Sequence, residues 1–168
     1  PEDRQTHGLI TAMKITSNIS LPLLKQDATG GWLRNREERE AALDGARQME
    51  VRANNIQQKA RELSGGNQQK VVLAKWLATK PRILILDEPT RGIDVGTKAA
   101  VHALMSQLAS EGLAIIMISS ELPEVLGMSD RIIVMHEGQI TARFERNEAT
   151  QEKIISAATQ TVATGSVL

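Results

Sequence analysis

Two short apolar runs with a helix between them constrain the fold of this chain most. "RILILD" at 82–87 and "LAIIMISS" at 113–120 are continuous apolar stretches, the pattern of strands that are covered on both faces in a parallel sheet. Apolar residues recur on one face of a predicted helix from about Thr97 to Ala109. A strand, a helix and a second strand in this order form a right-handed crossover with parallel strands. The sequence therefore predicts an α/β core after Pro81.

The first 80 residues are predicted to be mostly helical. Ser17 is expected to cap a short helix that runs through Leu24. A longer helix is expected from Asn35, because alanine and methionine recur there at helical spacing. Another helix is expected from about Asn67 to Ala78, where the following proline prevents its continuation.

The residues after the core predict a hairpin and a last helix. The strands "RIIVMH" and "QITARFE" would be joined by a two-residue turn at Glu137 and Gly138, and a helix near Thr150–Ala158 would follow. We therefore predict an α/β fold with a helical subdomain at 1–80, an α/β core at 81–158 and a flexible tail at 159–168.

Composition narrows the class of protein. The chain has 168 residues, the size of one ordinary domain, and its 20 basic residues balance its 20 acidic ones, so no net positive field favours nucleic acid as a partner. The absence of cysteine excludes disulfides and thiolate metal sites. No run in the sequence approaches the roughly 20 apolar residues of a membrane span.

A pair of carboxylates follows the first predicted strand. Asp87 and Glu88 end "RILILDE", and a carboxylate at the end of a buried strand is costly unless it meets a cation or hydrogen-bond donors. A Mg²⁺ ion escorted by phosphate oxygens would supply both, and Glu88 could polarise a water. The alternative is that the two acids only cap and pair at the strand end.

The segment "LSGGNQQK" predicts an anion site at a helix N-terminus. Ser64, Gly65 and Gly66 stand just before a predicted helix, whose free N–H groups and partial positive charge favour phosphate. The sequence nevertheless contains no G-x-x-x-x-G-K-[ST] loop, the usual cradle for a nucleotide's phosphates. Half of a phosphate site is thus present without the other half.

Two further segments can each be interpreted in two ways. Ser119 and Ser120 end the second strand, where hydroxyls could orient water or phosphate or could simply form a turn. Asp94 in "TRGIDVGTK" could serve a site, but by local chemistry it could also be only the N-cap of the next helix.

Together these segments resemble the ATP-binding-cassette ATPases of the P-loop NTPase class. "LSGGNQQK" is similar to the family's signature motif, "ILILDEP" to its Walker B strand and "TRGID" to its D-loop, in the same order. The start "PEDR" and the segment "ISSELPEVLGMSDRIIVMHEGQI" narrow the likeness further. They resemble the C-terminal cassette of the tandem ATPase subunits that drive bacterial sugar importers of the ribose and galactose type, without the upstream Walker A portion.

The resemblance implies roles for particular residues. Asp87 would hold Mg²⁺ through water, and Glu88 would position the attacking water. Contacts to an ATP held by the opposite cassette, including its γ-phosphate, would come from the nucleotide-binding residues Ser64, Gly65, Gly66, Gln68 and Asp94.

Two positions depart from the family pattern. Glu2 aligns with a glutamine that touches the metal, and Ser120 aligns with the switch histidine of the catalytic centre. Serine has neither the reach nor the charge of an imidazole. We therefore expect the opposite site, completed by Ser64 to Gly66, to be the stronger one.

The resemblance also implies cofactors and partners. ATP and Mg²⁺ would be the cofactors; an opposite cassette and transmembrane permease subunits would be the partners, with a periplasmic sugar-binding protein reached indirectly. The protein would lie at the cytoplasmic face of the bacterial inner membrane. One alternative is a non-catalytic fragment that donates its signature surface and binds the permease. Another is a DNA-repair or translation-factor member of the superfamily, which the balanced charge disfavours.

Overall fold

A computed structural model describes residues 8–24, 28–29, 32–33 and 35–159. It divides into two compact units, one reaching to Ile118 and the other starting at Ser119. Glu2, the two glycines after Thr29 and most of the predicted tail lie outside the described residues.

The first unit carries three helices, a short hairpin and a strand–helix–strand segment. Its elements are α1 (Ile15–Ser20), a 3₁₀ turn (Leu21–Leu23), β1 (Ala28–Thr29), β2 (Trp32–Leu33), α2 (Asn35–Gln48), a second 3₁₀ turn (Ala60–Glu62), α3 (Gly65–Leu77), β3 (Ile83–Asp87), α4 (Val95–Ser110) and β4 (Ala114–Ile118).

Helix α1 begins earlier than the sequence predicts, so the expected Ser17 cap is wrong. Ser17 lies inside the helix, and Lys14 occupies the N-cap without a side-chain hydrogen bond. The free N–H groups of Ile15 and Thr16 are instead satisfied by the carbonyls of Gln58 and Ile56. Partners this distant in sequence replace the local cap.

Helices α1, α2 and α3 pack on one another. The predicted apolar face of α2 is confirmed, since Ala42 and Ala46 are buried and Met49 is buried just beyond the helix end. The fully buried Ile15 and Ile19 supply the α1 side of this core. Small alanine side chains let the helix backbones approach closely, which brings α3 into the same core.

A buried asparagine organises the loop before α1. Asn18 is fully buried; its Oδ1 accepts from the Ile10 N–H at 2.8 Å, and its Nδ2 donates to the carbonyls of Ile10 and Lys14 at 3.0 Å each. The same loop is hydrogen-bonded to the second 3₁₀ turn through Ala60 and Arg61. This turn leads directly into the segment at the start of α3, so Asn18 stabilises that segment indirectly, through the loop and the turn.

The predicted crossover is confirmed. β3 and β4 pair in parallel, with Ile83 opposite Ala114 and Asp87 opposite Ile118, and α4 connects them. The expectation that both faces of these strands are covered is wrong for this chain. Leu84 and Leu86 are buried, whereas Ile83 and Ile85 are 58% and 62% exposed, because side chains alternate between the two faces and only one face is covered.

The second unit is built on the predicted hairpin. Its elements are α5 (Leu122–Met128), β5 (Arg131–His136), β6 (Gln139–Glu145) and α6 (Gln151–Thr159). β5 and β6 are antiparallel, and Glu137 and Gly138 both take positive φ in the turn between them, as a tight hairpin requires. Ile132 and Val134 of the hairpin form a core with Ile154 and Ala157 of α6.

Candidate functional site

The signature segment lies at a helix start, as predicted, although α3 begins at Gly65 and not near Asn67. Ser64 is the N-cap; its Oγ accepts from the Asn67 side-chain amide at 3.0 Å and from the Asn67 N–H at 3.5 Å. The first turn of this 13-residue helix carries no acidic side chain. Its positive end is therefore not neutralised from within the helix, which suits an anion.

Gly66 lies against the start of the next helix. It is buried, and a Cβ at this position would fall 2.4 Å from Thr97 Cγ2 and 2.7 Å from Thr97 Oγ1. Gly65, beside it, is half-buried. The second glycine of the segment is therefore required by packing within this chain, apart from any ligand.

The surroundings of Gln68 favour support of the turn before the helix. Its side chain is 5% exposed, and its Nε2 donates to the carbonyls of Ala60 and Leu63 at 3.3 and 3.2 Å. Oε1 is buried and has no hydrogen-bond partner among the described residues. These contacts hold the turn that leads to Ser64.

The two carboxylates follow each other at the carboxyl end of β3, as predicted. Both are half-buried, and the Glu88 N–H donates to the Ile118 carbonyl at 2.8 Å, which extends the parallel pairing by one residue beyond Asp87. Glu88 has a φ of 48°, a left-handed conformation that is unfavourable for a residue with a Cβ. Such strain in a non-glycine residue clusters at functional sites.

Asp94 is the N-cap of α4, which confirms the local reading of that residue. Its Oδ1 accepts from the Thr97 N–H at 2.9 Å and its Oδ2 from the Thr97 hydroxyl at 2.7 Å. The hydrogen bond from the Thr97 side chain, followed by the one from its backbone, lowers the pKa of Asp94. The exposed carboxylate is thus held charged and oriented.

Ser120 lies in the second unit, at the turn before α5. Its neighbour Ser119 organises this turn: the Ser119 Oγ accepts from the Glu121 N–H at 3.0 Å and donates to Glu124 Oε2 at 2.5 Å. Glu124 is 5% exposed and was not singled out in the sequence. The sequence around it, "SSELPE", is too short a pattern to predict that Glu124 is buried.

The structure brings two pairs of predicted residues together: Asp87 with Glu88, and Gly66 with Asp94 through Thr97. Thr97 touches both the signature glycine Gly66 and Asp94, a contact that the sequence did not indicate. Asp87 and Glu88 are adjacent at the strand end. No group of three or more histidine, aspartate or glutamate side chains among the described residues could hold a metal ion by itself.

A serine-capped helix start, a carboxylate pair at a strand end and a capped aspartate follow one another on an α/β fold. This is the order of elements in a nucleotide-binding cassette. The sequence pattern described as ABC transporter matches residues 4–91, just over half of the chain, and the chain therefore belongs to that family. No helix within the described ranges has the length and apolar composition needed to cross a membrane.

Among curated proteins, the chain is similar to ATP-binding proteins for ribose import. Ribose import ATP-binding protein RbsA 1 of Rhizobium meliloti is 54% identical over 158 residues, 94% of this chain and 31% of that protein. RbsA 2 of Streptomyces avermitilis is 56% identical over 159 residues, 95% of this chain and 32% of that protein. The chain therefore spans about a third of the length of these relatives.

Solved structures confirm the cassette fold. The ATP-binding cassette MJ0796, in a dimeric post-hydrolysis state bound to ADP and Pi, superposes with a TM-score of 0.70 at 26% identity, over 84% of this chain and 60% of that one. MJ1267, an ATP-binding cassette of an ABC transporter, gives a TM-score of 0.75 at 22% identity, over 94% and 66%. The second likeness bears on the fold alone.

Proposed function

We propose that this chain is part of an ATP-hydrolysing subunit that powers sugar import through an ABC transporter. Its signature, Walker B and D-loop segments would contribute to ATP sites shared between two cassettes. The observation that carries the proposal is the helix start capped by Ser64, whose positive end has no acidic neighbour in its first turn, in a chain similar to ribose import ATP-binding proteins.

The signature turn is proposed to serve a nucleotide on the opposite cassette. Ser64, Gly65 and Gly66 present a hydroxyl and backbone N–H groups at the positive end of α3, which are donors that match a terminal phosphate. The rest of that site would come from the other cassette. Asp94, exposed and held charged, is proposed to reach across the same interface.

The carboxylate pair is proposed to serve the nucleotide on this cassette. Asp87, half-buried at the carboxyl end of β3, fits Mg²⁺, which takes one or two carboxylates together with waters and substrate phosphates. Mg²⁺ would neutralise charge on the transferred phosphoryl group. Glu88 would orient the attacking water and accept its proton.

The partners follow from this assignment. We propose a second cassette, transmembrane permease subunits and, through them, a periplasmic sugar-binding protein, at the cytoplasmic face of the bacterial inner membrane. The dimeric state of MJ0796 supports the pairing of cassettes. Glu2, the predicted metal contact, is proposed to face the permease, and Ser120 is proposed to take the switch position near the γ-phosphate.

The proposal is tested with Glu88→Gln in the complete subunit that contains this chain. Loss of the general base is expected to slow ATP turnover by about 10²–10⁴-fold at a site that depends on it and to trap ATP, measured by steady-state hydrolysis and retention of labelled nucleotide. The matched control is Glu62→Gln, which changes an exposed acid in the second 3₁₀ turn. Unchanged turnover in Glu88→Gln would assign catalysis to the other site.

A second candidate function is a binding module that donates its signature surface without hydrolysing ATP. It is favoured by serine at position 120, which supplies no imidazole. Calorimetry of the 168-residue chain with Mg·ATP is expected to show no tight binding. Strong binding would contradict this reading.

A further inference from the structure

We propose that Thr97 is a positioning residue that locks the signature glycine Gly66 to Asp94. The segments of these two residues would then meet the opposite nucleotide as one rigid surface. This inference rests on the proposed function, because it deepens the roles given there to the signature turn and to Asp94.

The first contact of Thr97 is steric. The space beside Gly66 is filled by the Thr97 side chain, since a Cβ at Gly66 would meet Cγ2 at 2.4 Å, Oγ1 at 2.7 Å and the Thr97 Cβ at 3.1 Å. The two shorter separations are closer than ordinary van der Waals contact. Any side chain at position 66 would therefore collide with Thr97 unless the N-terminal turns of α3 and α4 moved apart.

The second contact of Thr97 is polar. Its hydroxyl and its N–H donate to the two different carboxylate oxygens of Asp94, at 2.7 and 2.9 Å. With both oxygens engaged by one residue, the carboxylate plane is fixed relative to α4. Asp94 is otherwise exposed, so this pair of hydrogen bonds determines its orientation.

One rotamer of Thr97 serves both contacts. The methyl and the hydroxyl share a single Cβ, so one χ1 angle fixes the positions of both. A rotation that moved the methyl away from Gly66 would also move the hydroxyl away from Asp94. A displacement of the signature turn is therefore transmitted to the aspartate, which is the expected behaviour of a mechanical link.

The decisive experiment is a second-site rescue in the complete subunit assembled with its permease. Gly66→Ala is expected to lower the kcat of ATP hydrolysis at least tenfold with less than a twofold change in KM, because the added methyl displaces the turn. Gly66→Ala combined with Thr97→Ala removes the two colliding atoms, and its kcat is expected to be at least threefold above that of Gly66→Ala alone. A double variant no faster than Gly66→Ala overturns the proposal.

Two single variants separate the contacts and do not depend on Gly66→Ala folding. Thr97→Val keeps the shape against Gly66 and removes the hydroxyl's hydrogen bond to Asp94 while the backbone one remains; Thr97→Ser keeps the hydroxyl and removes the methyl. Both are expected to lower kcat, Thr97→Val by about fivefold. Because Thr97→Val also loses the stabilisation that the hydroxyl gives the Asp94 cap, kcat is compared at a temperature well below the thermal unfolding of both variants. Wild-type kcat in both variants overturns the proposal.

The outcomes also separate this inference from the proposed function. A wild-type assembly without ATPase activity contradicts the proposed function itself. An active assembly in which Gly66→Ala is slow but not rescued contradicts only the role of Thr97. In that case Gly66 would be required for contact with the nucleotide and not for packing against Thr97.

Discussion

At the scale of single residues, the best-defined feature is the cap of α4. Asp94 serves the helix and, by proposal, a nucleotide at the same time, and Thr97 contacts it through both a side-chain and a backbone donor. Because these donors stabilise the charged carboxylate, they lower its pKa. The stabilisation is present above the ordinary pKa of an aspartate and is lost as the pH falls through the lowered value.

Thr97→Val should therefore raise the pKa of Asp94 towards its ordinary value. The hydroxyl is the largest cause of the lowering, and valine has no donor to replace it. The measurement is an NMR titration of the Asp94 carboxyl carbon in labelled protein. Thr97→Ser is the control, and an equal pKa in the valine and serine variants would contradict the assigned cause.

At the scale of secondary-structure elements, the helix starts decide how the candidate site is held. α3 has a local side-chain cap, whereas α1 takes its partners from the segment before the signature turn. Asn18 supports the loop before α1 through three hydrogen bonds of 3.0 Å or less. Buried polar groups that lose such partners cost about 1–3 kcal/mol each.

Asn18→Leu should loosen this loop with little change elsewhere. Leucine has a similar size but leaves the Ile10 N–H without its acceptor, whereas the carbonyls of Ile10 and Lys14 keep their backbone donors. Amide exchange of residues 10–14 is expected to rise about tenfold or more, since about 1.4 kcal/mol corresponds to a factor of ten. Hydrogen-exchange mass spectrometry of the complete subunit measures this; Asn54→Ala, at an exposed position, should leave exchange unchanged.

Local patterns predicted the elements better than their contacts. The apolar runs gave β3 and β4, and the Glu137–Gly138 turn followed from its residue types. The false cap at Ser17 arose because the partners of α1 come from distant carbonyls. The contact of Gly66 with Thr97 could not be predicted either, since nothing in the residue type of a glycine or a threonine indicates which residue distant in sequence it will contact.

At the scale of the whole molecule, one face of the parallel strands remains apolar and exposed. Ile83 and Ile85 of β3 and Ile116 and Ile118 of β4 are each between 51% and 62% exposed. Parallel sheets are normally covered on both faces, and a contiguous apolar surface of this kind promotes association.

Expressed by itself, the 168-residue chain should therefore self-associate through this isoleucine face. Replacing Ile85 and Ile116 by threonine keeps β-branched side chains in the strands and should lower light scattering at equal protein concentration. Leu84→Thr, on the buried face, should instead unfold the chain. Scattering that is insensitive to the two threonines would show that association uses another surface.

The left-handed backbone of Glu88 has a consequence for how this sequence could diverge. A glutamate held at a φ of 48° sacrifices about 1–2 kcal/mol relative to a glycine at the same place. A related sequence in which this position had no catalytic role would gain folding stability from a single substitution to glycine or asparagine. Glu50, Lys80 and Glu137 take a similar φ, so the same gain is open to this chain at three further positions.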